Sequence, residues 1–208
     1  MRRFRSRRAN GDRGVAMIEM AIVAPFLAFL LAGIFEFGTL WRDDLTVSTS
    51  TRAAARVVSN LGDDHRADYW ALLSLHAGLE TVNGLTIEGV LIYNANAVDG
   101  DPPSNCFDSN GDPRGASGCN YYTAAELSSI TSLNCEMSCS EFPDDASCNS
   151  GWAVNFCPQD ERSTSQIAGL TSVGVWVRVS REYLTGVFPG DGVTITDRTV
   201  MRSEPDST

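Results

Sequence analysis

Lysine is absent from this chain of 208 residues, so all sixteen of its basic residues are arginines. Six of them precede Gly14, and in the rest of the sequence ten arginines face 25 acidic residues, a formal charge of −15. Because binding to phosphates needs a basic surface, this acidity argues against a nucleic acid partner.

The sequence also lacks the short motifs typical of enzymes. It contains no G-x-S-x-G, no H-E-x-x-H and no phosphate-binding loop. Its two histidines, His65 and His76, fall at the polar start and on the apolar stripe of one predicted helix, which gives each a structural explanation. We therefore predict no catalytic residues, no cofactor and no enzymatic activity.

A single long apolar run is present, and it follows the arginine-rich start. Residues 15–35 form a stretch of 21 residues, or about 31 Å of α-helix, which matches the hydrocarbon core of a bilayer. Basic residues at one end of a single span predict a cytoplasmic amino terminus, with residues from about Arg42 onward exported. A cleavable secretory signal is disfavoured because its apolar run is about 7 to 15 residues long and precedes a small-x-small site.

The junction between the basic start and the apolar run contains Gly14, Val15 and Glu19. A glycine at the end of a basic leader, with a glutamate five residues later, is the arrangement found in type IV prepilins. A carboxylate within a membrane span costs about 2.5 to 3.5 kcal/mol, so it tends to need a partner. Cleavage after Gly14 gives that partner, a cationic amino group on Val15. The alternative is an ordinary signal anchor whose Glu19 lies in the headgroup layer.

Within the apolar run, Ala24, Ala28 and Ala32 recur at every fourth residue and lead to Glu36. Small residues at this spacing favour close packing between membrane helices, although alanine is also simply common in such helices. Pro25 is expected to kink the helix or loosen one turn.

Beyond residue 41 the sequence predicts one exported α+β domain, with helices on a small antiparallel sheet and a long disulfide-stapled loop. A helical continuation ends before Gly62, and Thr123 and Glu126 form a capping box for a short helix. The other predicted elements are a helix at 64–80 begun by Asp63 or Asp64, strands at 85–93, 173–179 and 193–200, and a cysteine-rich loop at about 94–166.

Six cysteines lie on the predicted exported side, and an even number in an oxidising compartment indicates disulfides, with fifteen possible sets of three bonds. We favour a bond between Cys106 and Cys119, which flank a turn-rich loop. Structural zinc is disfavoured because no C-x-x-C pair is present. The six are Cys106, Cys119, Cys135, Cys139, Cys148 and Cys157.

Asp108, Asn110 and Asp112 lie inside the loop between the first two cysteines, and their alternation resembles the start of a calcium loop. Pro113 stands where the glycine of such a loop belongs, and Cys119 replaces its closing glutamate. The sequence therefore favours a solvated turn, and we predict no metal site.

The segment that begins at Gly14 resembles the TadE-like family of the tight adherence (Flp) pilus system. The shared elements are Glu19, Pro25, the F-E-F-G exit at 35–38, Trp41 and the A-A-A-R helix at 53–56. A looser resemblance continues at 119–123, 174–178 and 184–186. The family implies a leader at 1–14, a membrane helix at 15–41 and an exported pilin-like domain at 42–208, in the inner membrane of a bacterium. It also implies as partners a prepilin peptidase, other pilins and inner-membrane assembly proteins, besides membrane lipid.

Two functions follow from these patterns. One is a minor pilin or pseudopilin-like component of a tight adherence pilus. The other is a membrane-anchored adhesin or ligand-binding module that enters no assembly, with the disulfide loop as its binding surface.

Overall fold

The structure, a computed structural model, describes residues 12–132, 148, 153–165, 169–186 and 188–205. The chain forms two compact units: one contains the chain up to Trp41 together with Tyr183–Asp191, and the other contains Arg42–Glu182 and Gly192–Thr208. In chain order the elements are α1 (Asp12–Leu61), α2 (Ala67–Leu79), β1 (Leu85–Asn94), a 3-10 turn (Ser104–Cys106), β2 (Cys119–Thr123), α3 (Ala124–Ser132), α4 (Pro158–Glu161), β3 (Ser172–Glu182) and β4 (Gly192–Arg202).

Helix α1 is continuous over 50 residues and passes through Pro25. It ends as predicted before Gly62, whose φ of 52° is a left-handed conformation that glycine adopts without a steric penalty. The N–H of Gly62 donates to the carbonyl oxygen of Val58 at 3.0 Å, which satisfies one of the last carbonyl groups of the helix.

Four strands form one antiparallel sheet in the order β2-β1-β3-β4, which confirms the small antiparallel sheet predicted from sequence. Tyr93 on β1 lies opposite Gly174 on β3, and a Cβ atom at position 174 would overlap the tyrosine ring. Glycine at 174 therefore lets the aromatic ring lie flat across the neighbouring strand. Strand β2 was not predicted from the sequence, because its five residues do not alternate clearly between apolar and polar.

The second unit has two apolar layers, one on each face of the sheet. Alternation along β1 and β3 sends successive side chains to opposite faces. The first face packs against helices and the second is covered by the loop around Cys106 and Cys119. The first layer includes Val47, Val58, Leu72, Leu75, Val90, Ile92, Val173, Val175, Val177 and Val179, and the second includes Leu91, Tyr93, Cys106, Cys119 and Trp176.

The predicted N-terminal caps of α3 and α2 can be compared with the structure. Thr123 and Glu126 form the expected capping box: a carboxylate oxygen of Glu126 accepts the N–H of Thr123 at 2.6 Å, and Thr123 Oγ1 accepts the N–H of Glu126 at 3.3 Å. Helix α2 begins later than predicted, at Ala67. Asp64 instead accepts the N–H of Arg66 at 2.7 Å, so its side chain closes a turn ahead of the helix.

Candidate functional site

The part of α1 that precedes Arg42 exposes apolar side chains around its circumference. Fifteen large apolar side chains between Val15 and Trp41 are each 42–73% exposed. In the described part of the chain one helix is long and apolar enough to cross a membrane, and its most apolar window has a mean hydropathy of 2.3 with no residue buried. Because so much apolar surface is unfavourable in water, the helix is suited to anchor the chain in a membrane.

Gly14, Val15 and Glu19 lie in the first turns of the anchor helix, and all three are exposed. A Cβ atom added at Gly14 would have no neighbour within 4 Å. Val15 and Glu19 are four residues apart, so their side chains share one face. The structure therefore brings the three junction residues together on an accessible surface, whereas residues 1–11 of the predicted leader lie outside the described residues.

The three alanines predicted to pack between helices also share one face of α1. Ala24 and Ala32 are partly exposed and Ala28 is exposed. In the described part of the chain, the alanine face is thus open to another helix. Glu36, one turn further on, is different because it is fully buried.

The carboxylate of Glu36 is held by the loop between β3 and β4. One oxygen accepts the N–H of Leu184 at 2.9 Å, and the other accepts the N–H of Thr185 at 2.9 Å and its hydroxyl at 2.8 Å. Three donors around one carboxylate form a strong, charge-assisted set of hydrogen bonds. From the sequence, residues 184–186 are notable only as part of a family resemblance, and nothing there links them to Glu36. The bonded residues are 148 and 149 positions apart, a separation that no local pattern reports.

A second polar cluster lies inside the other unit. Asp68 pairs with Arg162 at 2.6 Å and also accepts the hydroxyl of Tyr122 at 2.6 Å and the amide of Asn120 at 2.8 Å. Burial, together with the negative charge of Asp68, raises the pKa of Tyr122 well above its usual value, so its hydroxyl stays protonated as a donor. All four side chains are buried, which fits a structural role for the cluster rather than contact with a substrate.

Two disulfides occur among the described residues. Cys106 is bonded to Cys119, which confirms the favoured pairing, and Cys148 is bonded to Cys157. Cys135 and Cys139 lie outside the described residues. The first bond closes the loop that covers the second face of the sheet, and the ring of Phe107 in this loop packs edge-on against Trp176.

The residues considered for calcium form a turn. Asp108 Oδ1 accepts the N–H groups of Asn110 at 2.8 Å and Asp112 at 2.9 Å, and these bonds lower the pKa of Asp108. The carboxylate of Asp112 pairs with Arg178 at 2.9 Å. One carboxylate oxygen of Asp108 is therefore bonded to the local backbone, and one of Asp112 is paired with an arginine.

Among the described residues, one exposed apolar helix continues into the core of an α+β domain, an arrangement that suggests a membrane anchor. Residues 14–56 match the model of the TadE-like protein family, which confirms the resemblance seen in the sequence over 43 of the 208 residues. In the comparisons with curated proteins and with solved structures, nothing matches the chain. TadE-like proteins are pilus-assembly components and are not known as enzymes, so the match suggests a component related to the tight adherence (Tad) pilus.

Proposed function

We propose that the chain is a minor pilin or pseudopilin-like component of a tight adherence pilus and secretion system. Residues 1–14 serve as a leader, 15–41 as the membrane helix and 42–208 as an exported domain. The observation that carries this proposal is the coincidence of the TadE-like match with the exposed anchor helix, since the matched region begins at Gly14 itself.

The proposed leader ends at a bond that a peptidase can reach. Gly14 has open space where a side chain would be, and its neighbours Val15 and Met17 are more than half exposed. Hydrolysis after Gly14 creates a cationic amino group on Val15, one helical turn from Glu19. That cation neutralises a carboxylate at the start of the membrane helix, either in the same chain or in an adjacent subunit.

Assembly proceeds through lateral packing of the membrane helices. The exposed face of Ala24, Ala28 and Ala32 lets another helix approach closely, and van der Waals contact drives such association where no hydrophobic effect operates between helices. The arginines ahead of Gly14 keep the amino terminus in the cytoplasm, so the disulfide-bonded domain reaches an oxidising compartment. Bacterial inner membrane is the location that these features support.

Processing is tested by mass spectrometry of the amino-terminal peptide of the mature protein. We expect the wild type to begin at Val15, and Gly14→Leu to retain the leader because leucine does not fit a peptidase site adapted to glycine. Gly38→Leu is the matched control, since Gly38 also lies on α1 with no atom near its absent Cβ. Normal maturation of Gly14→Leu would contradict the proposal, and an intact junction in the wild type would favour the membrane-anchored adhesin.

Assembly is tested separately through Glu19. In a pilus, Glu19→Ala leaves the Val15 ammonium of an adjacent subunit unpaired in a contact of low dielectric constant, a loss on the order of a few kcal/mol. We expect this variant to be exported, processed and stable in the membrane, yet to support no pili when it replaces the wild type. Met20→Ala, a change at the next exposed position, controls for the loss of side-chain volume. Full piliation with Glu19→Ala would rule out Glu19 as an assembly contact.

A further inference from the structure

The loop Tyr183–Asp191 lies against the membrane helix well before that helix leaves the apolar stretch. Its Phe188 lies beside Gly33 of the helix, where an added Cβ atom would be 3.9 Å from Cζ of the phenylalanine ring. Gly33 precedes Trp41 by eight residues, which is about 12 Å along an α-helix. If Trp41 marks the interface, as amphipathic rings commonly do, Phe188 lies at the depth of the hydrocarbon.

Glu36 provides hydrogen-bond acceptors for backbone N–H groups of the loop, which would otherwise lack partners at this depth. Non-helical backbone is tolerated in the hydrocarbon region only where its polar groups are satisfied by protein. The N–H groups of Leu184 and Thr185 both donate to Glu36, and the N–H of Tyr183 donates to the carbonyl oxygen of Asp191 at 3.3 Å. The hydrogen bonds also stabilise Glu36, because its carboxylate lies among apolar residues of the anchor and needs donors there.

Two large apolar side chains of the loop are exposed, as are large apolar side chains of the helix in the same unit. Leu184 is 54% exposed and Phe188 is 38% exposed, and in the same unit Ile34 and Phe37 of α1 are 69% and 66% exposed. The loop sequence, YLTGVFPGD, has one charged residue, at its end. For a loop of this composition, contact with lipid acyl chains is more favourable than contact with water.

We propose that Tyr183–Asp191 is a second membrane-contacting element, which inserts into the leaflet on the side of the folded domain and is held there by Glu36. Its partner is the lipid bilayer. Depth along α1, the bonded N–H groups of Tyr183, Leu184 and Thr185, and the exposed apolar side chains of both loop and helix all point to lipid. The inference depends on α1 spanning the membrane and does not depend on leader cleavage or pilus assembly.

Photo-crosslinking in the full chain tests this contact directly. A benzophenone amino acid is placed at position 188 or 184, and the protein is embedded in vesicles of phosphatidylethanolamine and phosphatidylglycerol. Val98, a fully exposed apolar residue of the other unit, is the matched control site. We expect phospholipid adducts at 184 and 188 and none at 98. Adducts to protein in place of lipid at both loop positions, or no difference from position 98, would overturn the proposal.

The role of Glu36 is tested by the same readout. Glu36→Ala leaves two N–H groups of the loop without their acceptor, so we expect the lipid adducts at position 188 to fall about tenfold. Glu88→Ala, which removes an exposed carboxylate of β1, should leave them unchanged. Resistance to alkaline extraction shows whether α1 is still inserted. Undiminished lipid adducts at position 188 with Glu36→Ala would overturn the inference that Glu36 holds the loop in the membrane. Because the readout needs neither a cleaved leader nor pili, an intact junction at Gly14 leaves this result interpretable.

Discussion

One helix has two parts with opposite surroundings. Before Arg42, α1 exposes fifteen large apolar side chains by 42–73% each, whereas beyond it Val47, Ala54 and Val58 are at most 1% exposed. The secondary structure is the same in both parts, so the difference lies in what surrounds the helix. The domain supplies its own core for the second part, and the first part needs an apolar environment from outside the chain, as a lipid bilayer would provide.

Acidic side chains along α1 also differ in their surroundings, but their burial does not follow the division at Arg42. Glu19 is exposed, Glu36 is buried under backbone N–H groups of a loop, and Asp43 is 2% exposed with its carboxylate 3.1 Å from Arg181. A buried carboxylate needs hydrogen bonds or a counter-charge, and the latter two acids have one or the other within the chain. Glu19 has no such arrangement among the contacts described above, which is why its proposed partner is a new amino terminus.

The largest expected effect comes from a charge placed in the domain part of α1. Val47 is fully buried in the helix-facing layer, so Val47→Asp puts an unpaired carboxylate in the core. We expect a loss of more than about 4 kcal/mol of the free energy of unfolding, enough to leave the domain largely unfolded. Limited proteolysis of the membrane-bound protein measures this loss.

The matched change in the anchor part is Ile22→Asp, at a residue that is 71% exposed. It should leave the proteolytic resistance of the domain unchanged and weaken membrane insertion by about 2.5 to 3.5 kcal/mol. If Ile22→Asp destabilised the domain as much as Val47→Asp, the division of α1 at residue 41 would be wrong.

Next in size is the buried ion pair of the domain. Arg162→Met leaves the buried carboxylate of Asp68 without its counter-charge, which should cost about 3 to 5 kcal/mol of stability. Arg178→Met, which breaks a more exposed pair with Asp112, should cost about 0 to 1 kcal/mol. Denaturant unfolding in detergent measures both. Equal losses would show that burial does not distinguish the two pairs.

A covalent constraint should have a somewhat smaller effect. The Cys106–Cys119 bond spans a sequence separation of 13, so its removal by Cys106→Ala with Cys119→Ala should cost about 3 kcal/mol. Alanine is chosen because both positions are fully buried and a serine hydroxyl there would need a partner. Replacing Cys148 and Cys157 in the same way should cost slightly less, since that bond spans 9 residues. Reversal of this order would argue that packing around the bonds, rather than loop closure, sets their effect.

The anchor and the regular elements of the domain can be predicted from local patterns, because helix ends, capping boxes and alternating strands depend on neighbouring residues. Thr123 with Glu126 and the valines of β3 are examples. The polar contacts that fix the tertiary structure cannot be predicted in this way. Asp68 meets Arg162 across 94 positions and Glu36 meets Leu184 across 148, so only folding brings them together. The disulfide was predictable in part, since a turn-rich loop between two cysteines favours closure.

The smallest expected effect is a dependence on pH that belongs to the domain part alone, since residues 14–41 contain no tyrosine. Burial raises the pKa of Tyr93 from 10.0 to about 12. Above pH 10 the unfolded chain releases this proton while the folded domain keeps it, so the stability contributed by Tyr93 is lost as the pH rises from 10 to about 12.

Tyr93→Phe removes this titration along with a hydrogen bond to the carbonyl oxygen of Gly100 at 2.9 Å, which should cost about 1 kcal/mol at neutral pH. Denaturant midpoints at pH 8 and pH 11 should therefore differ less in Tyr93→Phe than in the wild type, with the rest of the change due to other tyrosines such as Tyr122. Membrane association through α1 should be the same at both values. Equal shifts of the midpoint in the two proteins would mean that Tyr93 titrates alike in the folded and unfolded chain.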